Sequence, residues 1–434
     1  MTFQELYALK KGTLADALSL IRSNDTICFA GENNQPFEFS RHLHEIAPRV
    51  TGVNVGKCRT GNYEFVTGDG MNGHINTSGF FFGNGWREGN VKLNTSLCVT
   101  DLPSYGRFTS EYKPANVFVA GVSPMDENGN FAIATCLMWE VESLEAVLKQ
   151  PDHRIILEVN PNLRSGKGAL EINIQDVTCL YEVDCPLAYV PAMAASETEE
   201  AIGDIIADLV HDGDTIQLGI GSLPDCAAAK LMGKKDLGLH TEMLTSSMGE
   251  MIRRGVITGE RKNFLRGLHI YSFAGGNPEL YDTMATDPTL RIVPGNFAVN
   301  PMNIMQNDNF VSINTILEMD LTGQVCSESI GPKQFSGSGG GFCFAYGALN
   351  SKGGRGILAF ATRSKKGIAK IKPMLTPGAN VTIPRNYVDH IVTEYGVAYM
   401  RGRTVKERVE QLIAISHPDD REELRAEARK LFYI

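Results

Sequence analysis

The stretch from Gly213 to Glu242 constrains this chain more than any other. It begins Gly-Asp-Thr-Ile-Gln-Leu-Gly-Ile-Gly-Ser-Leu-Pro-Asp and closes with Leu-Gly-Leu-His-Thr-Glu-Met. Thr215, Ile216 and Leu218 suit a buried strand. Gly219 and Gly221 then form a turn in which backbone N–H groups can approach a ligand without a Cβ in the way. Pro224 opens a helix well, because the N–H it lacks would be unpaired there, and Ala227 to Met232 continue it. Leu237 to Leu239 form a short apolar run that delivers His240, Thr241 and Glu242 at its end. Open α/β sheets bind ligands at the carboxyl ends of their strands. The glycine turn and the carboxylate are therefore expected side by side. Alone, each is weak: Gly-x-Gly after a strand is common, and a single Glu is usually solvated surface.

The same grammar occurs earlier. Thr13 caps a helix with Leu14, Ala17, Leu18 and Ile21 as its apolar stripe. A turn, a strand and a glycine follow in Asp25-Thr26-Ile27-Cys28-Phe29-Ala30-Gly31, then Asn33 to Pro36 and another helix. Asp25-Thr26-Ile27 and Asp214-Thr215-Ile216 lie 189 positions apart, each after an apolar helix. This predicts an internal duplication, although helix–Asp–strand–Gly is also generic α/β usage. The joint is expected in Pro186 to Ser196, which divides the chain into domains at 1–190 and 197–434.

Between the copies, residues 55 to 95 are rich in Gly, Asn and Thr and predict loops and short strands. A buried strand from Val117 to Pro124, a turn at Met125 to Phe131, a helix from Glu140 to Leu148 and a strand from Ile155 to Asn160 read as a βαβ unit. Later, Val311 to Val325 alternates as a strand and turns at Gly323. Gly337, Gly339, Gly340 and Gly341 follow, in a run placed between two strand patterns. That position favours a backbone bent to aim N–H groups at an anion over a flexible linker. Gly356 to Ala361 is a strand, and Arg363, Lys365, Lys366, Lys370 and Lys372 make a basic run. Such a run suits phosphates, or is simply a solvated face. Helices over 407–415 and 419–430 close the chain.

Composition narrows the classes. At 434 residues, 43% hydrophobic and 21% charged, the chain is an ordinary globular one of two or three domains. A net charge of −9 argues against nucleic acid as a partner. No apolar run reaches membrane-spanning length, and the first residues lack a signal-peptide core. The nine cysteines, Cys58 among them, are scattered and never spaced Cys-x-x-Cys. They read as reduced thiols of a cytoplasmic protein, with no metal site.

Gly-Ile-Gly-x-x-Pro followed by a strand ending in His-Thr-Glu-Met resembles the catalytic half of class I CoA-transferases. Within them the chain is similar to the acetyl-CoA hydrolase/transferase family, 4-hydroxybutyrate and butyryl-CoA:acetate CoA-transferase branch. Val-Ser-Pro-Met-Asp-x-x-Gly from Val122, Glu158-Val159-Asn160, the Ser-Gly-x-Gly-Gly loop from Ser336 to Gly340 and Ile391 to Ala398 extend the likeness over nearly the whole chain. The resemblance implies two similar open α/β domains with the active site in the cleft between them. It implies Glu242 as covalent nucleophile, with Glu318 as the rival from a related branch. It also implies an oxyanion- and CoA-binding set of Gly219, Ile220, Gly221, Ser222, Leu223, Leu317, Gly339, Gly340 and Lys366. Gly341, Cys343 and Tyr346 depart from the family spelling, which usually has Gln, Asp and Arg there.

The expected activity is movement of CoA between an acyl-CoA and a free short-chain carboxylate such as butyrate, acetate, 4-hydroxybutyrate, succinate or itaconate. The scheme is ping-pong through a glutamyl-CoA thioester, with coenzyme A as substrate and no metal or prosthetic group. A homo-oligomer is implied. Gly31 to Pro36 are expected to wall the acyl pocket, with Gly31 leaving extra room. Two other classes stay open: an acyl-CoA hydrolase on the same scaffold, and a non-enzymatic or isomerase relative that binds a phosphorylated ligand with the same glycine turns.

Overall fold

A computed structural model describes residues 1–56, 63–91, 95–191 and 194–434. Cys58, part of the 55–95 stretch and two residues of the expected joint lie outside them. The chain forms two compact units: Met1–Val190 with Ile270–Ala298, and Pro191–His269 with Val299–Ile434. The division near residue 190 falls where the linker composition sits, while Ile270–Ala298 returns to the first unit. It is tied there by backbone hydrogen bonds such as Leu137 N–H to Ser272 O and Gly295 N–H to Leu137 O.

In the first unit, β1 (Thr26–Phe29), β2 (Val53–Gly56), β3 (Ile75–Gly79), β4 (Thr95–Leu97), β5 (Val117–Val122), β6 (Arg154–Val159) and β7 (Cys179–Glu182) form one sheet. Its order is β4-β3-β2-β1-β5-β6-β7, all parallel. Helix α1 (Leu14–Ser19) is held by a capping box in which Thr13 and Asp16 satisfy each other's N–H groups, and helices α2 (Phe37–His42) and α3 (Glu140–Leu148) follow in the same unit. Phe29, Phe39, Phe65 and Trp86 fill the core on the α1 side of the sheet.

In the second unit, β8 (Thr215–Leu218), β9 (Gly238–Leu239), β10 (Phe310–Thr315), β13 (Arg355–Ala359), β15 (His390–Thr393) and β16 (Gly396–Tyr399) form a sheet of order β9-β8-β10-β13-β15-β16. All pairs are parallel except the closing hairpin. A small side sheet joins β11 (Glu318–Asp320) to β12 (Val325–Cys326) and β14 (Ile371–Lys372). The expected single strand over 311–325 is thus two. It breaks at Ile316-Leu317, because Leu317 N–H turns aside to Cys326 O.

The two sheets share a plan. The order β2-β1-β5-β6-β7 matches β9-β8-β10-β13-β15. Each buries one Asp–Arg pair at the same place. Arg154, opening β6, grips Asp25 before β1 with both guanidinium nitrogens, at 2.9 and 2.6 Å. Arg355, opening β13, reaches Asp214 before β8 at 2.6 Å. Each arginine also donates to the preceding helix's end, at Leu20 O or Leu209 O. Each aspartate accepts a backbone N–H three residues back, from Arg22 or His211.

Candidate functional site

The site assembles at the carboxyl ends of β8, β9 and β10. In β8–β9 pairing Ile216 stands beside Leu239, and His240 N–H continues the ladder to Ile216 O. Beyond His240 the chain leaves this ladder, and Glu242 stands on the bend that follows it. On the other side Gly219 N–H donates to Ile313 O at 2.8 Å. A Cβ on Gly219 would lie 3.2 Å from Asn314 Oδ1. The Asn314 and Gln217 amides pair reciprocally beneath the turn, at 2.9 and 3.1 Å. Neither amide stood out in the sequence, since nothing local links positions 97 residues apart.

The turn leads into helix α5 (Ser222–Lys230), with Gly221 as its N-cap at φ 121°, a value that only glycine adopts without strain. Ile220 is 57% exposed on the turn, while Leu223 is buried. Ser222 donates to Glu199, the N3 residue of helix α4 (Glu197–Leu209). Burial pushes Glu199 up, but hydrogen bonds from Ser196 and Ser222 and the charge of Lys365 hold it below the usual carboxylate range.

Glu242 meets the glycine-rich run directly. Gly340 is the N-cap of helix α6 (Gly341–Asn350), and its N–H donates to the Glu242 carboxylate. Burial raises the Glu242 pKa to about 7, and the Gly340 bond only partly offsets this. Gly339 and Gly341, on either side of Gly340, and Gly221, the cap of α5, each have open space where a side chain would stand. Farther along α6, Phe344 stacks on Phe310 of β10 and Gly347 leaves room for Ile304, which fixes the helix on the sheet. Tyr346, one of the departures from the family spelling, packs with Phe342 and Tyr387.

Glu318 has a different environment. Its carboxylate accepts from Lys372 Nζ at 2.5 Å, Thr376 N–H at 2.7 Å and Thr376 Oγ1 at 2.8 Å. Burial would raise its pKa, but these donors hold it below the usual range. Leu317 is half-buried at the strand break beside it, and Lys366 is exposed on a turn after β13.

The corresponding corner of the first unit is filled by its own carboxylates. Glu140 accepts from Gly31 N–H at 2.8 Å, and burial raises its pKa to about 7. Glu158 accepts from Phe37, Glu38 and Phe39 N–H and from Tyr181. Gly31 leaves no spare room, contrary to expectation. A Cβ there would stand 2.8 Å from Cys136 Sγ and 3.2 Å from the Trp139 ring.

Among the described residues no cluster of three or more His, Cys, Asp or Glu side chains suits a metal ion. No described helix is long and apolar enough to cross a membrane. The eight described cysteines are free thiols.

Known proteins agree with this architecture. Residues 276–428 match the family model for the acetyl-CoA hydrolase/transferase C-terminal domain. The chain is 36% identical to the succinyl-CoA:cyclohexane-1-carboxylate CoA transferase of Geobacter metallireducens, over 99% of this chain and 97% of that one. It is 35% identical to the 4-hydroxybutyrate coenzyme A transferase of Clostridium kluyveri, over the full length of both. The crystal structure of RipA from Yersinia pestis superposes with a TM-score of 0.93 at 31% identity, covering both chains completely. The chain belongs to the acetyl-CoA hydrolase/transferase family, as one of its CoA-transferases.

Proposed function

We propose that this CoA-transferase moves CoA between a short-chain acyl-CoA and a free carboxylate through a covalent intermediate on Glu242. The supporting observation is the contact of Glu242 with Gly340. It holds a half-buried carboxylate with a pKa of about 7 against a helix N-terminus whose flanking glycines, Gly339 and Gly341, carry no side chain into open space. Raised basicity makes a carboxylate a better nucleophile while much of it stays ionised at neutral pH. Glu318, with three donors and a lowered pKa, is suited to holding the side sheet instead.

In this scheme a Glu242 oxygen attacks the thioester carbonyl carbon. The C–S bond breaks, leaving CoA thiolate and a mixed anhydride. The thiolate attacks the glutamyl Cδ, the C–O bond to the acyl group breaks, and the first acid departs as carboxylate. The glutamyl-CoA thioester remains. A second carboxylate attacks it, and the same steps run in reverse to release the new acyl-CoA and restore Glu242. At the glutamyl carbon the tetrahedral charge rests on an oxygen that Gly340 N–H faces. Such a donor contributes roughly 3 to 4 kcal/mol. Leu223 N–H lies in the first turn of α5, where it has no partner within the helix, and serves the acyl oxyanion by family resemblance.

Butyrate, acetate, 4-hydroxybutyrate, succinate and itaconate are compatible acids, and the names of the relatives add cyclohexane-1-carboxylate. The shared strand order and the repeated Asp–Arg pair support a duplicated origin for the two units.

The test is intact mass and peptide mapping after incubation with acetyl-CoA or butyryl-CoA and no acceptor acid. A CoA adduct on the Glu242 peptide, lost in Glu242→Ala, is expected. An adduct on the Glu318 peptide would move the nucleophile. Steady release of thiol with no adduct would mean a hydrolase.

A further inference from the structure

After β13 the second unit turns back on itself over residues 362–370. Ser364 N–H donates to Ile368 O and Gly367 N–H to Ser364 O, both at 2.8 Å. Ser364 Oγ accepts from Lys366 N–H and Ile368 N–H, at 3.3 and 3.1 Å. The turn is well fixed, and Lys365 and Lys366 stand exposed at its tip. Lys365 is close enough to Glu199 to lower its pKa, and Glu199 is bonded to Ser222 of the glycine turn. The tip therefore borders the site. Lys370 sits half-buried within reach of the charges of Glu394 and Glu199.

Two anchors hold the base of this hairpin. Glu394 accepts from Thr362 N–H at 2.9 Å and from Thr362 Oγ1. Arg363 reaches the other way. Its Nε donates to Asp420 Oδ2 at 3.1 Å, its Nη2 donates to Asp420 Oδ1, and its Nη1 stands 3.6 Å from Asp419. The two aspartates belong to the turn that opens the closing helix α7 (Arg421–Lys430). This is a two-pronged guanidinium–carboxylate grip, which fixes geometry as well as charge. Side-chain exposure is only 31% for Arg363 and 19% for Asp420.

We propose that Arg363 and Asp420 are positioning residues: their ion pair fixes the Lys365–Lys366 hairpin to receive the phosphates of coenzyme A, and so ties the C-terminal helix to acyl-CoA affinity. The inference rests on the CoA-transferase reading above. Neither residue touches the reacting atoms. Freed of its anchor, the hairpin keeps its charges but must be ordered by the ligand, which weakens binding by about three- to tenfold.

Calorimetric titration of the full chain with coenzyme A and with pantetheine, which lacks the phosphates, tests this. Arg363→Ala and Asp420→Ala should each weaken coenzyme A by that factor and together weaken it no further. The exchanged pair Arg363→Asp with Asp420→Arg should recover part of the loss. Pantetheine affinity and kcat at saturating acyl-CoA should not move, which also shows that the variants are folded. Unchanged coenzyme A affinity in Arg363→Ala overturns the proposal. So does equal weakening of pantetheine, or full coenzyme A affinity in a Lys365→Ala, Lys366→Ala variant. Those outcomes, with a wild type that still transfers CoA, sink the positioning role alone. A wild type that neither binds nor exchanges coenzyme A sinks the transferase reading and this proposal with it.

Discussion

The carboxylate of Glu242 occupies the volume that a side chain would need at position 340. A Cβ built there collides with Glu242 Oε2 and comes within 3.0 Å of Val299 Cγ1. Gly340 is therefore required by a neighbour and not by its own backbone, whose φ of −83° any residue adopts. Gly340→Ala leaves the helix N–H in place but pushes the carboxylate away from it. A displacement of about 1 Å costs on the order of 100-fold in rate. We expect kcat to fall by at least that factor in a steady-state assay, while circular dichroism stays that of the wild type.

Glu242 also sets a pH dependence. Its ionised form is the proposed nucleophile, so kcat/KM should rise with pH and level off above about 7. Stability runs the other way. The folded state holds the proton up to about pH 7, while the unfolded chain gives it up near the ordinary glutamate value. Between those limits the unfolded state binds fewer protons, and stability falls as pH rises. Glu242→Gln should thus melt above the wild type at pH 8, by at most about 3 kcal/mol. That advantage should fade toward pH 4.5, which melting curves across the range would show.

Much of this was legible from local pattern. The Thr13 cap, the Glu140–Leu148 helix and the β8 strand each depend on neighbours a few residues away, and the structure has them as the sequence predicts. What stayed hidden depends on distant partners. Arg363 finds Asp420 across 57 positions, and Gln217 finds Asn314 across 97. Gly31 misled for the same reason: a glycine signals missing volume, but only the fold shows that Cys136 and Trp139 fill it. Glu318 shares its residue type with Glu242, and only the donors from Lys372 and Thr376 tell the two apart.

Those donors make Glu318 the subject of a structural prediction. Lys372→Met removes the cation from a carboxylate that is nearly buried. A hydrogen bond to a charged group is worth roughly 1.5 to 3 kcal/mol, so urea unfolding at neutral pH should show a loss of that order. The Glu318 pKa is lowered in the fold, so its contribution is present above the ordinary glutamate value and lost as pH falls below it. The gap between variant and wild type should shrink in acid. The CoA adduct on Glu242 should still form.

The repeated Asp–Arg pair offers the most direct test of the shared plan. Arg154 and Asp25 are 5% and 4% exposed, and Arg355 and Asp214 are 14% and 5%. Removing one member of a buried pair strands the other charge and costs about 3 to 5 kcal/mol, whereas replacing both with apolar groups can be nearly neutral. Arg154→Met should fall in that range, and Arg355→Met somewhat below it because water reaches its pair more easily. In each unit the matching double variant, Asp25→Leu with Arg154→Met or Asp214→Leu with Arg355→Met, should regain much of the loss. Chemical denaturation of these four variants, together with Asp25→Leu and Asp214→Leu alone, gives two double-mutant cycles. Coupling of the same sign and similar size in both would show that the duplicated position does the same work in each sheet. Strong coupling in one and none in the other would reduce the repeat to a likeness of geometry.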